Sequence, residues 1–368
     1  MAQINRRRFL ALSGAAGLGL ATGLRPLAAA AREKITVGMV YVGPRDDFGW
    51  NQSHALAAQS LRSVAGVTVD EEENVPETIA VRKTMESMIQ LDDASLIFGT
   101  SFGYFDPYMI ELAKANPNVQ FRHPTTLWTA GKHPDNLGGY FGYLDQAHYV
   151  NGIAAGLSTK TNKIGYVAAK PIGIVLRNIN AFTLGVRKVN PNATVKLIFT
   201  GDWSLPVREA EATNALVAGG CDVIACHVDS PKVVIETAEQ HGAKTCGHNV
   251  SQASLAPKGF ITGAEAKWST AYKSFTADIA AGRKLPNTMY GGYDRDLVAS
   301  TPFGAGASPA ARQAALAAIA DLKAGKPMYA GPIKSNTGKV VLDKATGNYD
   351  PVLDKTNFLV DGVIGSIS

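Results

Sequence analysis

Apolar and polar positions along this chain fall into blocks that switch between two periods. Residues 34–42 (KITVGMVYV) form a short run rich in β-branched residues, the pattern of a strand buried on both faces. Residues 50–64 carry helical spacing through Leu56, Ser60 and Leu61, and 68–75 return to a strand. A helix over 77–91 places Ile79, Met85, Met88 and Ile89 on one side; a strand at 95–100, a helix at 107–115 and a strand at 118–123 follow. The pattern restarts at 163–168 (KIGYVA). It continues with a helix at 180–189 stopped by Asn190-Pro191, a strand at 194–200, a helix at 207–219, a strand at 221–228, a helix at 231–241 and a strand at 244–250. Alternation of this kind predicts parallel pairing with right-handed crossovers. Two such runs in succession predict an α/β protein of two lobes, each a doubly wound, mostly parallel sheet.

The join at 140–154 is the first hinge candidate, and a return crossing is expected near 259–264, before a helix at 267–281. The lobes then divide as 31–145 plus about 262–300 and 146–261 plus about 301–368, the last part holding a hairpin-bearing tail at 331–368.

The start of the chain changes the picture of charge and location. Arg6-Arg7-Arg8-Phe9-Leu10, an uncharged stretch at 11–24 and Ala28-Ala29-Ala30 give a basic region, an apolar region and a small-residue cleavage site in the order of a secretory signal. The paired arginines are similar to the twin-arginine export motif, so a signal at 1–30 and a periplasmic destination are expected. No cysteine lies near the cleavage site for a lipid anchor. Residues 1–30 hold four arginines and no acid, so their removal takes the net charge from +5 to +1. A nearly neutral mature chain argues against a nucleic-acid partner. Three cysteines, Cys221, Cys226 and Cys246, make no disulfide framework and read as buried free thiols.

Ligands of parallel sheets bind beyond the carboxyl ends of strands. Those positions here hold Trp50 and Asn51 after the first strand, Ser101-Phe102-Gly103-Tyr104 after the third, then 171–180, Asp202-Trp203, His227-Val228-Asp229 and His248-Asn249. Aromatic faces with a few amides and acids suit a flat heteroaromatic ring, held by stacking and read at its edges by hydrogen bonds. The candidate site is therefore Trp50 and Trp203 as the sandwich, Phe102, Gly103 and Trp268 at the sides, and Asn180, Asp229 and Asn249 as edge readers. Asp229 is equally placed to cap the helix that starts at Pro231, and Asp106 to cap the one at Pro107. Lys170 and Arg177 either steer anions or stand in solvent. No P-loop, no G-x-S-x-G and no H-E-x-x-H occurs, and the seven histidines lack metal spacing. No cofactor is expected, and binding without turnover is favoured over hydrolysis.

The ordered motifs Asp47-Phe48-Gly49-Trp50, Thr100 to Pro107 (TSFGYFDP), Lys163 to Val167, Ile179-Asn180-Ala181-Phe182, His227 with Asp229-Ser230-Pro231, and Tyr290-Gly291-Gly292 followed by Thr301-Pro302-Phe303 resemble the basic membrane protein family of substrate-binding proteins. Characterised members include purine-nucleoside receptors of ABC importers. The resemblance implies a type I periplasmic-binding-protein fold, a purine held between aromatics of the two lobes, and an inner-membrane ABC permease as partner of a monomer. A receptor that senses its ligand would share this fold. Family nucleoside binders carry an aspartate in a Val-Asp-Ser-Asp-like turn and a lysine after the Gly-Gly pair. Here those places read His248-Asn249-Val250-Ser251 and Tyr293-Asp294-Arg295, which favours a free base over a nucleoside.

Overall fold

A computed structural model describes residues 34–367, so the signal expected at 1–30 lies outside the described residues. The chain runs β1 (Ile35–Val40), α1 (Trp50–Gln59), β2 (Val67–Glu72), α2 (Ile79–Leu91), β3 (Ala94–Gly99), α3 (Ile110–Ala115), β4 (Gln120–His123), β5 (Leu137–Gly142) and α4 (Asp145–Gly156). It continues β6 (Lys163–Ala168), α5 (Gly173–Val189), β7 (Thr194–Phe199), α6 (Pro206–Ala218), β8 (Val223–His227), α7 (Lys232–Gln240), β9 (Lys244–Asn249), β10 (Phe260–Ala266) and α8 (Trp268–Ala280). The last elements are β11 (Thr288–Gly291), β12 (Val298–Ser300), α9 (Pro309–Lys323), β13 (Ile333–Lys334), β14 (Val340–Leu342) and β15 (Val363–Ile364).

Apart from β13 and β14, which pair as an antiparallel hairpin in the tail, these strands form two separate sheets, the two-lobed α/β architecture expected from the pattern. The first has the order β11-β5-β4-β3-β1-β2 and the second β12-β10-β9-β8-β6-β7-β15. All pairs in the first sheet are parallel, and β12 on β10 is the antiparallel exception in the second. Continuous apolar runs arise because alternate residues feed two cores. In β3, Leu96 and Phe98 enter one cluster while Ile97 enters the other; in β6, Ile164 and Tyr166 face one and Val167 the other. Cys226 and Cys246 are free thiols for the same reason: their side chains enter cores on opposite faces of the second sheet.

The chain crosses between sheets three times: after β5, at Lys267 between β10 and α8, and between β11 and β12. The return crossing thus falls a few residues after the expected 259–264, because β10 stays paired with β9 through Glu265. The segment 140–154, expected as a joint, is the end of β5 followed by α4, whose residues are all buried. Such a helix has no side facing solvent, and its buried polar residues Asp145, Gln146, His148 and Asn151 interrupt any apolar stripe in the sequence. It packs backbone to backbone on α5, where a Cβ at Gly152 would overlap the Phe182 carbonyl and one at Gly185 the Tyr149 carbonyl.

Helix α5 begins at Gly173, a full two turns before the expected start at 180. This corrects the placement of Asn180, which lies inside a helix and not in a loop at a strand end. Asp106 stands, with extended backbone, at the kink directly before the helical turn that opens at Pro107, the position expected of a cap, but its side chain makes no capping bond. Among the described residues no helix is long and apolar enough to cross a membrane.

Candidate functional site

The loop after β1 is shaped by one carboxylate. Asp47 accepts from the backbone N–H groups of Gly49 (2.8 Å), Asn51 (3.0 Å) and Gln52 (2.9 Å), which fixes the first turn of α1 and aims Trp50 at the cleft. The Trp50 indole N–H donates to the Thr100 carbonyl at 2.7 Å, so the ring is tied to the end of β3. Behind it His54 and Trp268 stack in parallel at 4.9 Å, and each meets Trp50 edge-on. Trp268 is 1% exposed and its indole N–H donates to Ser53 Oγ at 2.9 Å. His54 is a structural residue: its Nδ1 bonds the Tyr272 hydroxyl at 2.6 Å.

From the other lobe comes Trp203, in the loop after β7. Its carbonyl accepts from the Asp229 N–H at 2.7 Å. Lys170 lies over its ring at 5.5 Å and pairs with Asp202 at 2.7 Å, so this lysine is neither free nor simply solvated. Trp50 and Trp203 line one cavity of about 200 Å³ between the sheets, together with Phe102, Asp229, His227, His248, Asn249 and Trp268. Six of the eight candidate residues are therefore brought together there.

The remaining two are not. Asn180 donates to the Phe358 carbonyl and accepts from the Val360 N–H, both at 2.9 Å, and so ties the C-terminal tail to α5. The Gly103 N–H donates to Glu77 at 2.7 Å, and a Cβ there would meet that carboxylate rather than the cavity.

Two polar groups in the cavity wall lack protein partners. Asn249 is 2% exposed at a positive φ of 69°, and neither its Oδ1 nor its Nδ2 has a hydrogen bond. A buried amide left so costs on the order of 1–3 kcal/mol until a ligand or water satisfies it. The Asp229 carboxylate has no hydrogen-bond donor among the described residues and caps nothing, since α7 carries no side-chain cap. Burial pushes its pKa well above the usual carboxylate range, and the nearby acids Asp47, Glu209, Glu77 and Asp202 push the same way.

Sequence reading placed His227 and His248 at strand ends without choosing them for the site, and it missed Asn178 and a buried ion pair as parts of this wall. His227 accepts from Asn178 Nδ2 at 2.9 Å, and His248 meets His148 at 3.0 Å. Burial holds His227 down at about pKa 3 and keeps His148 and His248 well below the usual imidazole value, so all three are neutral. Arg177 and Asp145 pair at 2.5 Å, with Asp354 of the tail on the same guanidinium at 2.8 Å. Arg177 thus anchors the tail beside the cleft and is not available to attract anions. The signal for the histidines was present, since both stand at strand ends.

The lobes touch across the cleft. The Trp50 N–H donates to the Asp229 carbonyl (2.8 Å), Ser230 Oγ to the Asp47 carbonyl (2.8 Å) and Gln252 Nε2 to the Phe48 carbonyl (2.7 Å). This is a closed arrangement of two lobes around a cavity walled by aromatic rings and orphaned polar groups.

With that geometry in view, the sequence matches the family described as ABC transporter substrate-binding protein, PnrA-like, over residues 34–300. The chain belongs to this Bmp family. A purine-binding protein of Brucella abortus (strain 2308) is 33% identical over 339 residues, covering 91% of this chain and 95% of that protein. A Haloferax volcanii protein with the provisional name ABC transporter glucose-binding protein is 34% identical over 262 residues, or 71% of this chain and 65% of that one. A solute-binding protein of an ABC transporter system from Conexibacter woesei shares the fold with a TM-score of 0.68 at 21% identity, over 79% of this chain and 96% of that one. The family match ends at residue 300, whereas Asp354 comes from the tail beyond it.

Proposed function

We propose that this protein captures a free purine-like base in the periplasm and presents it, as a monomer in the closed form, to an ABC permease. The observation that carries this reading is Asn249: a buried amide with donor and acceptor both unused, facing a cavity that two tryptophans border from opposite lobes. Stacking holds a flat ring, and a paired donor and acceptor read its edge. The volume of about 200 Å³ supports a small ligand, since sites for drug-sized molecules span roughly 300–1,000 Å³. The replaced residues after the Gly-Gly pair support a base as well. Asp294 is engaged by the Tyr349 hydroxyl and Arg295 by the Tyr290 carbonyl, and neither lines the cavity.

Binding without turnover fits the same wall. Hydrolysis needs a positioned acid-base pair and a nucleophile. Here Asp145 is committed to Arg177, the imidazoles are bonded to one another or to Asn178, and the free carboxylate of Asp229 has no hydrogen bond to any of them. The deciding experiment is calorimetry with purine bases, their nucleosides and glucose against the purified mature protein. Tight binding of a base, with no product released, is the expected result. Preference for a nucleoside overturns the base assignment, and preference for glucose overturns the purine one.

A further inference from the structure

His227 and His248 stand side by side in the cavity wall, with ring centroids 4.3 Å apart. A neutral imidazole offers one N–H and one acceptor nitrogen, and the bond made by the inner nitrogen decides which of them faces outward. For His227 the inner partner is an amide donor: Asn178 Nδ2 donates to Nδ1 at 2.9 Å. Its proton is therefore on Nε2, which has no protein partner among the described residues.

For His248 the decision is made two residues deeper. His248 Nδ1 meets His148 Nε2 at 3.0 Å, and His148 Nδ1 meets the Tyr166 hydroxyl at 3.2 Å. All members of this chain are fully buried or within 1% of it. Two proton arrangements are conceivable. In one, Tyr166 donates to His148 Nδ1, His148 Nε2–H donates to His248 Nδ1, and His248 carries its proton on Nε2. In the other every bond reverses, and the Tyr166 proton needs a new acceptor. The Tyr166 hydroxyl has no hydrogen-bond partner other than His148 among the described residues. A buried hydroxyl proton left without a good acceptor disfavours the second arrangement.

We infer that Tyr166, acting through His148, is a positioning residue that fixes His248 with its proton on Nε2, so that His248 and His227 together offer two N–H donors and the site selects 6-oxopurines over adenine. A 6-oxopurine carries two adjacent acceptors, the ring N7 and the exocyclic oxygen, whereas adenine puts an amino donor in place of that oxygen. This inference rests on the purine reading above, but its first half does not need a ligand.

The test has two arms. Histidine NMR on nitrogen-labelled, ligand-free protein reads the tautomer of His248 directly, and Nε2–H is expected. Calorimetry then compares hypoxanthine and guanine with adenine, and about ten-fold or more in favour of the oxopurines is expected, as for one mismatched bidentate edge. Tyr166→Phe, checked for native circular dichroism, should let His248 populate both tautomers and bring that ratio toward one. A proton on Nδ1 of His248 in the wild-type protein overturns the relay. Adenine bound as tightly as hypoxanthine overturns the selectivity. If no purine binds at all, the purine reading falls and the selectivity with it, and the NMR arm still decides the relay.

Discussion

The backbone N–H of Trp50, in the first lobe, donates to the carbonyl oxygen of Asp229, in the second, at 2.8 Å. The residue before Trp50 has to be glycine for this to happen, because a Cβ at Gly49 would overlap that same carbonyl and press on Pro231. Gly49→Val should therefore block closure while leaving each lobe folded. A ligand can close the lobes only by its preference for the closed form, so small-angle scattering of the variant should stay expanded at ligand concentrations that compact the wild type. Compaction equal to wild type would remove this contact from the closing mechanism.

The two tryptophans differ in what their loss would disturb. Trp50 is packed on His54 and the fully buried Trp268, whereas Trp203 stands in the loop after β7, only partly buried against the cores of its lobe and with Lys170 above it. Trp203→Ala is thus the cleaner test of stacking. Affinity should fall at least about ten-fold, from lost stacking and buried area, with a smaller loss of ligand-free melting temperature than Trp50→Ala causes. Trp50→Ala should abolish the ligand-induced thermal shift and lower the ligand-free melting temperature too.

Asn249 sits at a positive φ of 69°, so alanine there would add backbone strain to any loss of contacts. Glycine adopts that conformation freely. Asn249→Gly should leave the melting temperature near wild type and weaken ligand binding by roughly five- to one-hundred-fold, the range of a lost buried hydrogen-bond pair. Asn249→Asp should shift preference toward nucleosides, readable as a change in the base-to-nucleoside ratio of dissociation constants.

Asp229 makes binding depend on pH. Its native pKa is raised, chiefly by burial, so the proton-bound form is favoured in the closed protein. The stability it contributes is complete below the unfolded carboxylate pKa of about 3.9 and is lost as pH rises through the raised native value. A ligand that donates N–H groups favours the ionised form and expels the proton. Affinity should therefore rise with pH across that window, with proton release visible as a buffer-dependent enthalpy. Asp229→Asn should flatten the profile, and a slope unchanged in this variant would assign the proton elsewhere.

Asn180 should behave as an anchor of the tail. Asn180→Ala removes its bonds to the Phe358 carbonyl and the Val360 N–H, at about 1–3 kcal/mol. Thermal melting should drop by several degrees while the dissociation constant at a temperature well below melting stays the same. A selective loss of affinity without a loss of stability would return Asn180 to the ligand.

The sequence by itself determined the two doubly wound sheets, because strands buried on both faces and helices with one apolar face leave clear periods in the order of residues. It also determined where to look, since Trp50, Trp203, Asp229 and Asn249 all follow strand ends and ligand clefts form there. It did not reveal α4, whose buried polar residues interrupt the helical stripe, nor the early start of α5, where Arg177 and Asn180 are polar yet buried by partners in the tail. Those partners lie more than 170 residues away in the chain. Only the tertiary structure could decide that Asn180 holds the tail while Asn249 faces the cavity unbonded, or that His248 is governed by Tyr166. An amide or an imidazole has the same local signature in either role. What differs is which atoms the folded chain brings within hydrogen-bond reach, and that is set by contacts between distant segments rather than by any spacing along one of them.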